Sequence, residues 1–231
     1  MEIDESAWSA LRREHDGVIR RDATIAFGWT PGAVHHRVGR SWQSLLPGVL
    51  LTVTGTPTSR QRALGALAWA GEAAALTAET GLAAWGLGVP HSQEVHVAVP
   101  HQRQLQPARF RIGAGRVIPH RTLRDLASRT GMMPVLPVAR CVVYPWQGKR
   151  SVSQVRGWVS AAVQQRKATV PELEREVDLA PRAGSKVLRQ VLSEVGEGAC
   201  SAAETALVPA LRGVRLPPFR LNVDVCDSAG C

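Results

Sequence analysis

Lysine is nearly absent: only Lys149, Lys167 and Lys186 stand among 28 cationic residues, the other 25 being arginine. Aromatic residues make up 5%, with a single tyrosine. The four cysteines (Cys141, Cys200, Cys226 and Cys231) include no C-x-x-C pair, which excludes a disulfide scaffold and a zinc ribbon. No long apolar run occurs. The most weakly charged stretch, Ala63 to Pro90, is mostly Ala and Gly and carries Glu72 and Glu79, so it does not read as a membrane span. The opening MEIDESAWSALRREH has acids first and no apolar core, so no secretion signal is expected and the chain is read as cytoplasmic.

What is present is a globular composition. The 231 residues are 45% hydrophobic and 20% charged, with net charge +9. Charge is uneven. Between Val95 and Pro171 thirteen Arg or Lys face one acid, Asp125. That imbalance reads as one basic face, with Arg103, Arg109, Arg111, Arg116 and Arg121 its candidate members. Arginine's planar fork suits bidentate phosphate contacts, which points to nucleic acid. A GC-rich coding sequence gives the same arginine count with no function attached, and that alternative stays open.

The first 56 residues carry three short helical patterns and a hairpin. Trp8 and Leu11 share a helical face that stops at His15-Asp16-Gly17. The segment RRDATIAFG places Asp22 in a first turn, where a carboxylate favours the helix dipole. Thr30-Pro31 opens a third helix, expected to run PGAVHHRVGR and to end by Gly39. WQSLLPGVLLTVTG alternates around Pro47-Gly48, a type II turn signal between two strands. This order is that of a winged helix-turn-helix, whose second paired helix enters the major groove. On a helical wheel Val34 and Val38 face the core, while Gly32, Ala33, His36 and Arg40 face outward. Small residues there allow close approach to bases. Arg40 is the candidate for a bidentate guanine contact and His36 for a second base contact. His35 and Arg37 flank that face and are assigned to phosphates, with Thr30 at the helix start and Gln43 at the wing.

Downstream, residues 57–90 read as two helices buried through Leu64, Leu67, Trp69, Leu82 and Trp85. EVHVAVP (94–100) and RFRI…RVIPH (109–120) alternate as strands, and 151–166, 170–178 and 184–195 read as helices. GAGR at 113–116 is a turn, not a phosphate loop. His91, His96, His101 and His120 do not reproduce a metal-ligand spacing, and no cofactor is expected. The predicted class is α+β: a winged helix (1–56), an Arg-rich α/β domain (57–197) and an incomplete nuclease-like helix-strand piece (198–231).

The ordered pieces GVIRRDATIAFGWTPGAVHHRVGRSW, LLPGVL, RQRALGALAWAG and AAALTAETGLAAWGL resemble the AbiEi-type antitoxins of type IV toxin–antitoxin systems, common in actinobacteria. The resemblance spans most of residues 16–225. It implies a DNA-binding transcriptional repressor of its own operon, with double-stranded DNA as partner and a nucleotidyltransferase-like toxin as genetic partner. Position by position, it puts the recognition helix at Thr30–Gly39 and the wing at Trp42–Thr54. Two departures stand out. Arg20 occupies the position of a Thr or Ser cap, and Gln43 and Ser44 replace basic wing residues.

Many such proteins carry a C-terminal domain resembling very short patch repair endonucleases of the PD-(D/E)xK class. CSAAETALVPALRGVRLPPFRLNV resembles its opening, with Glu204 at the first acidic position. The Asp and Glu-x-Lys that complete such a metal site do not follow, and the last lysine, Lys186, lies upstream. Glu204 is therefore at most a vestigial catalytic candidate, and no enzyme activity is expected. The competing readings are an endonuclease-related protein with an incomplete site, or a frameshift remnant without function.

Overall fold

The chain is described here by a computed structural model, over residues 3–90, 92–126, 133–143, 151–180 and 185–196. The fold is α+β. Its contacts divide it into two units, Met1–Ala84 with Pro90–Leu136, and Trp85–Val89 with the chain from Pro137 onward.

The first unit begins with α1 (Glu5–Glu14), whose Asp4 cap accepts from the Ser6 and Ala7 amides at 2.9 and 3.0 Å. A short β1 (Val18–Arg20) leads directly into α2 (Arg21–Ala26). α3 (Pro31–Arg37) starts at Thr30, whose hydroxyl accepts from the Ala33 amide at 3.2 Å, with Pro31 at the first helical position. The hairpin β2 (Gln43–Leu46) and β3 (Val49–Leu51) turns at Pro47-Gly48, where Gly48 has φ +73°. That positive φ at the second turn position is what a type II turn needs and glycine supplies. β3 is the centre of an antiparallel sheet ordered β1-β3-β2.

The scarce aromatics are concentrated here. Trp8, Trp29 and Trp42 are each no more than 5% exposed and form one cluster with Ile19, Val34 and Leu50. Trp8 lies 5.4 Å from Trp29 and 5.6 Å from Trp42, centroid to centroid, and Trp29 meets Trp42 edge-on at 5.0 Å. Tilted and edge-on rings at these distances add to the area they bury. Three large rings replace the many aliphatics that so short a segment lacks room to carry.

α4 (Ser59–Ala70), opened by a Thr58/Gln61 capping box, packs across β1, β2 and β3. Then come β4 (Ala75–Leu76), α5 (Ala78–Ala84), β5 (Glu94–Pro100), β6 (Ala108–Arg109) and β7 (Arg116–Thr122). They form a second sheet ordered β4-β5-β7-β6, with β5 and β7 parallel and the other pairs antiparallel. Val95, Val97, Ala98 and Val99 are all buried with His96 among them, as expected of a strand covered on both faces.

In the second unit α6 (Val138–Val143), α7 (Val152–Gln164), α8 (Val170–Asp178) and α9 (Lys186–Gly196) pack through Val155, Val159, Leu173, Val177, Leu188 and Val191. α7 and α8 each open with a capping box. Arg156 on α7 makes a bidentate contact to Glu194 on α9, which is 1% exposed. Burying that carboxylate without the arginine would cost several kcal/mol, of order 3–5. No helix among the described residues is long and apolar enough to cross a membrane.

Three local expectations differ from what forms. The third helix stops at Arg37, since Val38 is extended (ψ 127°) and Gly39 has φ +88°. The expected strand from 109 shrinks to Ala108–Arg109, because Gly113 (φ +72°) and Gly115 (φ +111°) turn the chain back at once. β4 and α6 have no counterpart in the sequence reading, being too short to show a period. The expected nuclease-like piece, Glu204 included, lies outside the described residues.

Candidate nucleic-acid interface

α3 lies at the surface of the first unit. Val34 is wholly buried against the tryptophan cluster, while Thr30, Pro31, Gly32, His35 and His36 are exposed. A side chain at Gly32 would meet nothing within 4 Å. Ala33, expected outward, is half-buried and packs against the cluster, because the short helix sits deep between Trp29 and Trp42.

Arg40 is not on the helix. It belongs to a tight turn in which the amides of Arg40, Ser41 and Trp42 all bond to the Arg37 carbonyl, at 3.0–3.1 Å. Its guanidinium nevertheless returns to α3, where Nη1 lies 2.6 Å from His36 Nε2. The wheel thus misplaced the Arg40 backbone, and the contact between the two side chains is not one it predicted. Arg37 takes a different position from the flanking one expected of it. It is half-buried and turned onto the rings of Trp29 and Trp42, its Nε buried without a hydrogen-bond partner among the described residues.

The hairpin expected to serve as a wing is short, its turn being the two residues Pro47 and Gly48. Gln43 Nε2 donates to the carbonyls of Val53 and Gly55, both at 3.0 Å, so its amide fastens the loop that leaves the hairpin. Arg20 gives α2 no side-chain cap. Instead its guanidinium grips Asp22, which also accepts from the Ala23 amide, and the hydrogen bond from Arg20 holds the Asp22 carboxyl below its ordinary range.

The arginines of the basic stretch belong to both units. Residues 95–136 fall in the first unit and 137–171 in the second. Arg103 donates through Nε and Nη2 to the Ala70 carbonyl, closing the C-terminus of α4. Arg111 Nη1 donates to Ser44 Oγ at 3.0 Å, and its amide donates to the Leu45 carbonyl on the edge of β2. Arg116 makes a fork contact with Glu94 Oε1, at 2.6 and 2.8 Å. Arg109 and Arg121 are exposed, Arg109 being the cross-strand neighbour of Arg116. A charge count along the chain cannot show that Arg103, Arg111 and Arg116, though exposed, bond to a carbonyl, a hydroxyl and a carboxylate of the same fold.

The sequence reading separated His96 and His120, which β5 and β7 bring together. Their rings stack at 5.2 Å and 13°, with His96 Nδ1 2.9 Å from His120 Nε2. Burial lowers both, pushing His120 down to about 3. Glu79 and Glu94 oxygens lie 3.7 and 3.8 Å from His96 Nε2, beside a pocket of about 200 Å³ that also meets Arg60 and Arg62. Among the described residues no group of three or more His, Cys, Asp or Glu is arranged to hold a metal ion. Residue i on one parallel strand and a partner twenty-four positions on is a spacing no local motif signals.

No family model matches the chain, and no curated protein matches it. Among solved structures it is similar to the crystal structure of the RV2827C protein from Mycobacterium tuberculosis, at 15% identity and a TM-score of 0.52. The match covers 91% of this chain and 81% of that one. Likeness at that identity bears on the fold alone, here an α+β arrangement.

Proposed function

We propose that this chain is a DNA-binding transcriptional regulator, with residues 1–56 acting as a winged helix-turn-helix. The observation that carries the reading is α3 itself. It follows α2 after a four-residue break, buries Val34, and exposes Gly32, His35 and His36 with Arg40 beside them. The helix order and the β1-β3-β2 sheet support it, since a winged helix needs a hairpin beside its reading helix. Arg40 is the base-reading residue of this proposal. Arg37, turned onto tryptophan, is not a phosphate contact in it.

The resemblance to AbiEi-type antitoxins extends the proposal: the protein acts in the cytoplasm as a repressor of its own operon, paired genetically with a nucleotidyltransferase-like toxin, and is a binding protein, not an enzyme. The test is footprinting by the full chain over its own upstream region, beside titration of a random duplex at several salt concentrations. A protected site bound at least about a thousandfold more tightly than random duplex is expected. Equal affinity for both would overturn the regulator.

A further inference from the structure

We infer that His36 and Arg40 act as one reading unit that presents only donors to DNA, selecting a guanine beside any base except cytosine. This rests on the duplex-binding reading above and adds the base step that the helix accepts.

The argument starts from the 2.6 Å contact between Arg40 Nη1 and His36 Nε2. A guanidinium has no acceptor, so Arg40 must donate and Nε2 must carry the lone pair. The His36 proton is then on Nδ1. Two side chains that a wheel would treat as independent are thereby fixed relative to each other. The turn supports this, being tied at the Arg37 carbonyl and closed by the Gly39 amide bonding to the Trp42 carbonyl at 2.8 Å. Trp42 is 4% exposed, so the turn is anchored in the core while Arg40 and His36 stay exposed.

With one N–H of Nη1 occupied by His36, Arg40 keeps its Nη2 and Nε hydrogens as a parallel pair. That pair matches O6 and N7 of guanine. His36 adds one further donor, Nδ1–H. In the major groove guanine and adenine offer N7 and thymine offers O4, whereas cytosine offers only a donor. A donor facing a donor is rejected. Gly32 on the same face leaves room for the approach, as nothing lies within 4 Å of where its side chain would be.

The experiment is selection from a randomised duplex pool by the full chain, with sequencing of the bound fraction. Wild type, His36→Ala, His36→Gln, Arg40→Ala and the double alanine variant are compared. Wild type should favour guanine at one position by about ten- to hundredfold and deplete cytosine at a neighbouring one. His36→Ala and Arg40→Ala should each reduce the guanine preference, and the double variant should lose no more than Arg40→Ala alone, the mark of a coupled pair. His36→Gln should retain it, since the amide oxygen accepts from Arg40 while the NH₂ donates. Unchanged thermal midpoints confirm that all variants fold. Independent, additive losses, or guanine preference untouched by His36→Ala, would overturn the unit and leave duplex binding standing. A wild type that enriches no sequence would overturn the unit and the regulator together.

Discussion

The guanidinium carbon of Arg37 lies 4.4 Å from the Trp29 ring centroid and 5.7 Å from that of Trp42. A cation so placed is attracted by the ring quadrupole, by about 0.5–2 kcal/mol depending on its desolvation. Its stem also covers the tryptophans. Arg37→Ala is therefore expected to lower the unfolding free energy by about 1–2 kcal/mol, read from the urea midpoint, while the salt slope of duplex binding stays as in wild type. A slope reduced by about one with an unchanged midpoint would return Arg37 to the phosphate role.

Gly71 and Arg103 are coupled at the end of α4. Gly71 has φ +88°, and a Cβ there would stand 2.0 Å from Arg103 Nη2. Gly71→Ala meets both a backbone penalty and the displaced guanidinium, and a loss of about 1–3 kcal/mol is expected. Arg103→Ala frees the Ala70 carbonyl and costs about 1 kcal/mol. In the Arg103→Ala background Gly71→Ala should cost less than alone, because the steric part has gone and the φ part remains. Denaturant titration of the four chains measures the coupling, and strict additivity would refute it.

The histidine pair makes stability depend on pH. His120 is held down at about 3 by burial and by its neighbour His96, against an ordinary value of 6.5. Between those values the unfolded chain binds a proton that the folded chain refuses. Folding stability from this source is full above about pH 6.5 and declines as pH falls towards 3. His96, also lowered, acts in the same direction. His120→Gln should flatten the dependence of the denaturation midpoint between those limits. A dependence as steep as wild type would assign it to the carboxylates instead.

Much of the first unit could be read along the chain, because its signals are local. Thr30-Pro31, Pro47-Gly48 and the burial of Val34 each act within a few residues, and each formed as expected. The end of α3 was read at Gly39, and the helix stops two residues before it, where Val38 turns extended and Gly39 takes a positive φ. The histidine pair was invisible because a parallel β5·β7 pairing sets it, and pairing is not local. The five arginines named for a basic face are all exposed, and their contacts could not be read from composition. Composition counts cations, whereas Arg103, Arg111 and Arg116 are committed to Ala70, Ser44 and Glu94.

Gly32 separates stability from recognition. It occupies the second position of α3, is exposed, and has open space around its missing side chain. Within a helix alanine is preferred to glycine by about 0.5–1 kcal/mol, mostly because glycine loses more backbone freedom on folding. Gly32→Ala should therefore raise the unfolding free energy by about that amount. A larger, straight-chained residue such as glutamine is also tolerated by the free protein, since no atom opposes it. Duplex binding should respond oppositely. If α3 lies against base edges, a long side chain at Gly32 fills the gap, and Gly32→Gln should weaken specific binding by about tenfold or more while leaving the thermal midpoint at or above wild type. Titration of the footprinted duplex and a thermal melt on the same preparations decide the matter. Undiminished affinity in a variant that is fully folded would mean that this face of α3 does not meet the groove.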